Sequence, residues 1–214
     1  MDIHQIFFNI GKGELEQIPK FYQCHLHNVK YCKKYKLRYT LWTKEKVLKL
    51  LNMPKNKKFK KVFNEFRFDI QRIDFAKYLI LWNYGGIYLD LDIYIIDKSI
   101  YHLYDLSYFF VRWHKNHRNL PYNAVLGTKK HNNLYHDIMV HSEKSFYEKN
   151  KKSIYHTWKG RFVFQTTGHY MLKRVLKKNK ITEMLDILKI NTKEGVVNQG
   201  NNPLFEDYNL SVWY

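Results

Sequence analysis

Apolar and polar positions along the chain follow two periods, and these lay out the elements. Ile3–Phe8 is a short, largely apolar run that reads as a buried strand, with Asn9-Ile10-Gly11-Lys12-Gly13 as a loop after it. Pro19 suits the first turn of a helix, where its missing N–H leaves nothing unpaired, and the helical pattern runs to about Lys34. Leu37–Trp42 reads as a second strand. Thr43 can cap a short helix that Asn52 and Pro54 end. This β-α-β-α opening predicts an α/β protein with a parallel sheet covered by helices.

The next helix is predicted from a cap at Asp69 to about Tyr84, with Ile70, Ile73, Ala76, Ile80 and Leu81 on its core-facing stripe. Gly85-Gly86 ends it, because glycine adopts the left-handed conformation that side chains resist. Ile87–Ile96 then alternates as one strand. Ile87, Leu89, Leu91, Ile93 and Ile95 point one way, and Tyr88, Asp90, Asp92 and Tyr94 the other. Further on, Tyr108–Trp113 and Asn123–Gly127 read as strands and Leu134–Tyr147 as a helix. A lysine-rich link at Lys149–Lys152 precedes a strand near Phe162–Gln165. Gly168–Lys178 and Ile181–Leu188 read as helices, and Asn198–Tyr214 as a turn-rich tail with an apolar end. No internal repeat is present. A chain of 214 residues accommodates one substantial core, so the expectation is a single domain over 1–214, free-standing or as a module of a longer polypeptide.

Composition supports a folded globule: 45% of residues are hydrophobic and 17% aromatic, which disordered or fibrous chains do not reach. The preponderance of Lys, Asn, Ile and Tyr suits an AT-rich genome, as in a large DNA virus or a low-GC bacterium. Cys24 and Cys32 lie more than two turns apart on one predicted helix, too far for a mutual disulfide, and read as reduced thiols. No signal-like or membrane-spanning apolar stretch occurs, so the expectation is a cytoplasmic protein with at most peripheral membrane contact. The net charge of +18 gathers at Lys33–Lys36, Lys55–Lys61 and Lys173–Lys180. A solvated basic face explains it first, then an anionic membrane or glycan. Nucleic acid comes last, because aromatic residues do not interleave with the basic clusters.

Asp90 and Asp92 change the picture. Two residues apart on a strand, they share one face at roughly 6.5–7 Å spacing. Two like charges so close within a hydrophobic sheet call for a cation or for donor groups. Carboxylate oxygens are hard ligands suited to Mg²⁺ or Mn²⁺, which leave positions open for water and substrate phosphates. By itself, an Asp-x-Asp pair is a weak signal that a solvated strand end also explains.

Its surroundings are specific. Arg72-Ile73-Asp74-Phe75-Ala76-Lys77, followed by Tyr84-Gly85-Gly86-Ile87-Tyr88-Leu89-Asp90-Leu91-Asp92, resembles the D-x-D sugar-transferase family. That family includes yeast-type initiating mannosyltransferases, capsular-polysaccharide transferases and glucosylating clostridial toxins. Its members carry S-D-x-x-R on a helix and G-G-x-Y-x-D-x-D on the next strand. Here Ile73 replaces the Ser and Lys77 the Arg, which keeps the charge but loses the bidentate fork. Ile3-His4-Gln5-Ile6-Phe7 resembles the opening I-H-x-x-W, with Phe7 in the place of the base-packing aromatic; Phe7 also reads as a core residue. Asn123 resembles a donor-sugar contact, and Thr167-Gly168 a T-G-P turn with His169 for Pro. Ser211-Val212-Trp213 loosely resembles the closing S-x-W, where Trp213 reads equally as a core anchor. Tyr208 stands where an acidic or His ligand is usual, leaving Asp207 or Asn209 as substitutes.

The resemblance is specific between Arg72 and Asp97. It implies a GT-A-like, Rossmann-type fold with a mixed, mostly parallel central sheet flanked by helices. It also implies a nucleotide-sugar donor (a UDP-sugar ahead of a GDP-sugar), Mn²⁺ or Mg²⁺, and a glycan, glycolipid or protein acceptor. Asp92 would ligate the metal directly, and Asp90 through water or by holding the ribose. Lys77 and Arg72 would add charge at the diphosphate, and Asp74 would accept hydrogen bonds from ribose or sugar hydroxyls. Retention of anomeric configuration follows from the same resemblance. Two other classes stay open on the residues: a metal-dependent phosphoesterase or nuclease drawing on Asp97, Asp105 or His136, and a basic binder of nucleic acid or anionic glycan.

Overall fold

The computed structural model describes residues 1–11, 13–113, 120–150, 159–192 and 195–208. The opening follows the sequence pattern: β1 (Asp2–Ile6), α1 (Pro19–Lys34), β2 (Arg38–Trp42) and α2 (Lys44–Leu51). Pro19 begins α1, and Thr43 caps α2 by accepting from the Lys46 amide. A short α3 (Lys60–Glu65) leads to α4 (Asp69–Tyr84), and β3 (Gly86–Leu89) and β4 (Ile93–Ile95) follow. Then come β5 (Tyr108–Arg112), β6 (Pro121–Thr128), α5 (Asn133–Asn150), α6 (Lys159–Thr166) and α7 (His169–Lys178). The last elements are β7 (Leu188–Thr192), β8 (Gly195–Gln199) and β9 (Phe205–Asp207).

The central sheet has the order β2-β1-β3-β6-β5. β1 pairs in parallel with β2 and β3, while β6 is antiparallel to both β3 and β5. Four of the five strands therefore run the same way and β6 alone is reversed, the mixed but mostly parallel sheet expected. A second sheet, β4-β9-β7-β8, stands beside it. Strand alternation divides the interior in two. Ile6, Tyr88, Phe110 and Leu126 pack among helices α2 to α7. Ile3, Ile87, Leu89 and Val125 pack with residues of β4, β7 and β9.

Four sequence expectations are corrected. Ile87–Ile96 is not one strand: β3 ends at Leu89, a turn carries Asp90, Leu91 and Asp92, and β4 joins the second sheet beside β9. The Asp90 amide still bonds Ala124 O at 2.9 Å, and the Ile93 amide returns to Asp90 O at 3.1 Å. Alternation survives the break because both strands bury their isoleucines in the same cluster. Phe162–Gln165 lies in helix α6, since a four-residue apolar run does not by itself separate strand from helix. Ile181–Leu188 is not helical: Leu185 bridges the edge of β5, and Leu188 opens β7. Asp69 is the first residue of α4 rather than its cap, and the Gln71 side chain accepts from the Arg67 and Phe68 amides there.

Helix α4 also departs from a simple amphipathic stripe, because Asp74, Lys77 and Asn83 are buried together with its apolar residues. A helix covered on most sides can carry charge inward, and this one does. Gly85 and Gly86, at φ 69° and 91°, turn the chain from α4 into β3. A Cβ on Gly86 would meet Asp2 O at 2.4 Å, so the turn is also a close backbone approach. Cys24 and Cys32 are free and buried. Among the described residues no helix is long and apolar enough to cross a membrane.

Candidate active site

The site is built where α4, the end of β3 and β6 meet. Asp74 and Lys77 are one turn apart on α4, so their side chains leave the helix on one side. Lys77 Nζ lies 3.0 Å from Asp74 Oδ1 and 3.0 Å from Asp90 Oδ1. It also reaches Asn123 O at 3.4 Å and sits 5.2 Å over the Tyr88 ring. The Lys77 side chain is 1% exposed. Burial opposes its charge, but Asp90 and Asp74 together hold the ammonium above the ordinary lysine range.

Each carboxylate has further partners. Asp74 Oδ1 accepts from Asn123 Nδ2 at 3.0 Å and its Oδ2 from Thr167 Oγ1 at 3.1 Å. Burial pushes the Asp74 carboxyl above its usual range, against the pull of Lys77. Asp90 Oδ1 accepts from Tyr88 OH at 2.6 Å, and Asp90 O from Gln5 Nε2 at 2.9 Å. Tyr39 OH in turn donates to Gln5 Oε1 at 2.7 Å, fixing that amide. His4 supports the turn from below. Its Nδ1 accepts from Trp42 Nε1 at 3.2 Å, which places its proton on Nε2, donating to Gly85 O at 2.9 Å. Desolvation lowers the His4 pKa to about 4, so the ring is neutral at physiological pH.

Asp92 follows in the turn, partly exposed, and its carbonyl accepts from the Tyr208 amide at 3.1 Å. Asp207, on β9 opposite Ile93, is 1% exposed and accepts from Tyr122 OH at 2.6 Å through Oδ2. Burial raises the Tyr122 hydroxyl well above its usual range, and Asp207, Asp92 and Asp90 raise it further. Three carboxylates thus act on one phenol. Among the described residues no three His, Cys, Asp or Glu side chains converge into a preformed metal cage. The oxygen-only set of Asp90, Asp92 and Asp207 still fits a hard divalent cation, which commonly takes one or two carboxylates and completes its shell with water and substrate phosphate. The Cys24 thiol donates to Ile93 O at 3.0 Å.

Asp74, Lys77, Asp90 and Asn123 line a cavity of about 80 Å³ together with Lys159 and Phe164. Ligand pockets usually span roughly 300–1,000 Å³, so this one holds at most part of a nucleotide sugar. The other sequence candidates are dispersed. Phe7 follows β1 directly, with its amide bonded to Trp42 O at 2.9 Å. Arg72 turns away, to Asp69 Oδ1 at 3.2 Å, Asn64 O at 3.1 Å and Phe66 O, and so braces the α3–α4 corner. Ser211, Trp213 and Asn209 lie outside the described residues. Gln5, Tyr88, Tyr122 and Lys159 were missed by sequence reasoning. Tyr88 was the legible one, sharing a strand face with Asp90, while the others come from distant segments. The rival metal ligands are engaged elsewhere: Asp97 Oδ1 accepts from the Ser99 amide, and His136, on α5, lies 2.7 Å from Lys58.

Residues 22–110 match the family described as glycosyltransferase sugar-binding region containing DXD motif. That stretch, with α4 and the acidic turn, is similar to a DXD-type glycosyltransferase region. A 56-residue stretch is 43% identical to inositol phosphoceramide mannosyltransferase 1 of Schizosaccharomyces pombe, covering 26% of this chain and 17% of that protein. A stretch of 129 residues is 26% identical to an uncharacterized glycosyltransferase of Acanthamoeba polyphaga mimivirus, covering 59% of this chain and 49% of that one. The chain therefore spans about half the length, or less, of the curated relatives it matches. Its fold is similar to that of the PaToxG glycosyltransferase, with a TM-score of 0.53 and 14% identity over 83% of this chain and 68% of that one. The GT-A-like glycosyltransferase architecture implied by the sequence is the one observed.

Proposed function

We propose that the protein transfers a hexose-type sugar from a nucleotide-diphospho-sugar, a UDP-sugar first, to a hydroxyl of a glycan, glycolipid or protein. One observation carries this reading. Asp90 is locked through Oδ1 by Tyr88 and Lys77, and no described residue engages its Oδ2 beside the cavity. A carboxylate held this firmly on one side is preorganised for a ligand on the other.

Asp92 and Asp90 would hold Mn²⁺ or Mg²⁺, with Asp207 as the third carboxylate. Such an ion, when bound, offsets the charge that develops on the diphosphate leaving group. The remaining roles belong to the chain itself. Lys77, fully buried between two carboxylates, fixes Asp90 rather than reaching a phosphate. Asp74 holds Asn123 at the cavity, where its amide faces a donor hydroxyl. Phe164 gives the cavity an apolar side against which a sugar ring can rest. The acceptor hydroxyl attacks the anomeric carbon from the face that the diphosphate leaves, its proton passing to the departing diphosphate oxygen, so that configuration is retained. Two free, buried thiols support a cytoplasmic setting, and the +18 charge supports contact with an anionic glycan or membrane surface.

The test is isothermal titration of UDP-glucose with and without Mn²⁺, on the wild type and Asp92→Ala. Binding is expected to need the metal and to be lost in the variant. Metal-independent binding that the variant retains would sink the assignment.

A further inference from the structure

A larger cavity lies at the opposite end of β3 from Asp90. It measures about 420 Å³ and is lined by Asp2, Arg38, Tyr84, Tyr104, Lys129 and Lys130, among others. Its floor is the Gly85–Gly86 turn, so the four residues of β3, about 13 Å, separate it from the acidic turn. The volume is within the usual range for small-ligand pockets, unlike that of the cavity beside Asp90.

Its chemistry is specific. Arg38 is spent on Asp2, which it meets through both Nε and Nη2. Lys129 and Lys130 line the cavity and form no ion pair with a carboxylate among the described residues. Two aromatic residues also line the cavity: Tyr84 is 45% exposed and Tyr104 56%. Tyr84 is not loose, since its ring packs 5.3 Å from Trp42 and 6.5 Å from His4. The Lys130 amide would be 2.6 Å from a Cβ on Gly85, so the lysine wall is also seated tightly on the turn. Paired cations beside exposed aromatic faces recognise an anion attached to a ring: the cations take the charge, and the aromatic faces cover the ring.

We propose that this cavity is a second ligand site, distinct from the acidic turn, for a ring-bearing phosphate ester. Its phosphate pairs with Lys129 and Lys130, and its sugar or base rests against Tyr104 and Tyr84. The inference does not depend on the transferase reading, because none of the residues named lines the cavity of Asp74 and Asp90.

The probes are glucose 6-phosphate, UMP, glucose and inorganic phosphate, titrated calorimetrically without divalent metal. The proteins are the wild type, Lys129→Glu/Lys130→Glu, Tyr104→Ala and Asp92→Ala. One or both esters should bind saturably, more tightly than glucose or phosphate, and whichever binds identifies the ring. The double lysine variant should weaken binding by about tenfold or more, and Tyr104→Ala by about fivefold. Asp92→Ala should leave it unchanged. The circular dichroism of the exposed-residue variants should match the wild type. The proposal is overturned if neither ester binds below about 10 mM. It is overturned equally if binding survives the lysine reversal or is lost with Asp92. Phosphate binding as tightly as the esters would remove the ring from the assignment. Sedimentation with anionic vesicles, dependent on the same lysines and without ester binding, would make the surface a lipid contact instead.

Discussion

Lys77 Nζ stands at the same distance, 3.0 Å, from a carboxylate on its own helix, Asp74, and from one beyond the next strand, Asp90. This one ammonium ties α4 to the acidic turn, and its burial makes both contacts hard to replace by water. Removing one member of a buried ion pair strands the others in a low-dielectric interior. Lys77→Met should therefore lower the unfolding free energy by about 3–5 kcal/mol. Urea denaturation checks this, and a change under 1 kcal/mol would mean that the lysine does not hold the two carboxylates together.

Asp92 is partly exposed, and its carbonyl accepts from the Tyr208 amide. Asp92→Asn should leave stability within about 0.5 kcal/mol of wild type, yet abolish Mn²⁺-dependent donor binding. Thermal unfolding with and without Mn²⁺ and UDP-glucose measures both effects. A variant still stabilised by the pair of ligands would refute the role.

Asp207 separates structure from ligation. Asn at this position keeps an oxygen to accept from Tyr122 OH, a bond of 2.6 Å in the wild type, but removes the charge. Asp207→Asn is expected to fold normally while the midpoint for Mn²⁺ rises about tenfold or more, as for loss of one charged ligand. Equal Mn²⁺ affinities would exclude Asp207 from the metal's surroundings.

His4 makes stability depend on pH with a definite sign. Its folded pKa, about 4, is below the unfolded value of 6.5, so the unfolded chain binds more protons between the two. This contribution is fully present above pH 6.5 and is lost as the pH falls towards 4, by a total on the order of 3 kcal/mol. Unfolding of the wild type and His4→Gln at several pH values from 7 to 4 should show the shallower slope in the variant. Parallel slopes would count against a neutral, buried His4.

Gly86 has φ 91° and faces Asp2 O. Gly86→Ala adds both a strained backbone and a contact with no room to relax, so a cost of about 2 kcal/mol or more is expected from chemical denaturation. The same variant should weaken donor binding, because this turn sets where β3 delivers Asp90.

Much of the outline was legible in the sequence. Pro19, Thr43 and the alternation of β1 and β2 are local signals, and local signals fix where helices and strands begin. The motif from Asp74 to Asp92 was legible as well, through its resemblance to the helix, glycine turn and strand of the D-x-D family. The break after Leu89 was not, because alternation continues unchanged when two strands share one apolar cluster. Nor was the helical state of Lys159–Thr166, whose apolar run is too short to show a period.

The sequence by itself located the acidic pair and its preceding helix, and their resemblance to the D-x-D sugar-transferase family, more than residue type and spacing, pointed to the kind of chemistry. Tertiary structure alone decided the use of each charge. It turned Lys77 inward, sent Arg72 to the α3–α4 corner, and brought Gln5, Asn123, Thr167 and Asp207 to the site from segments far apart in the chain. The physical reason is burial: an ionised side chain denied water takes whatever partners the packed core places within hydrogen-bond reach, and no local pattern specifies those.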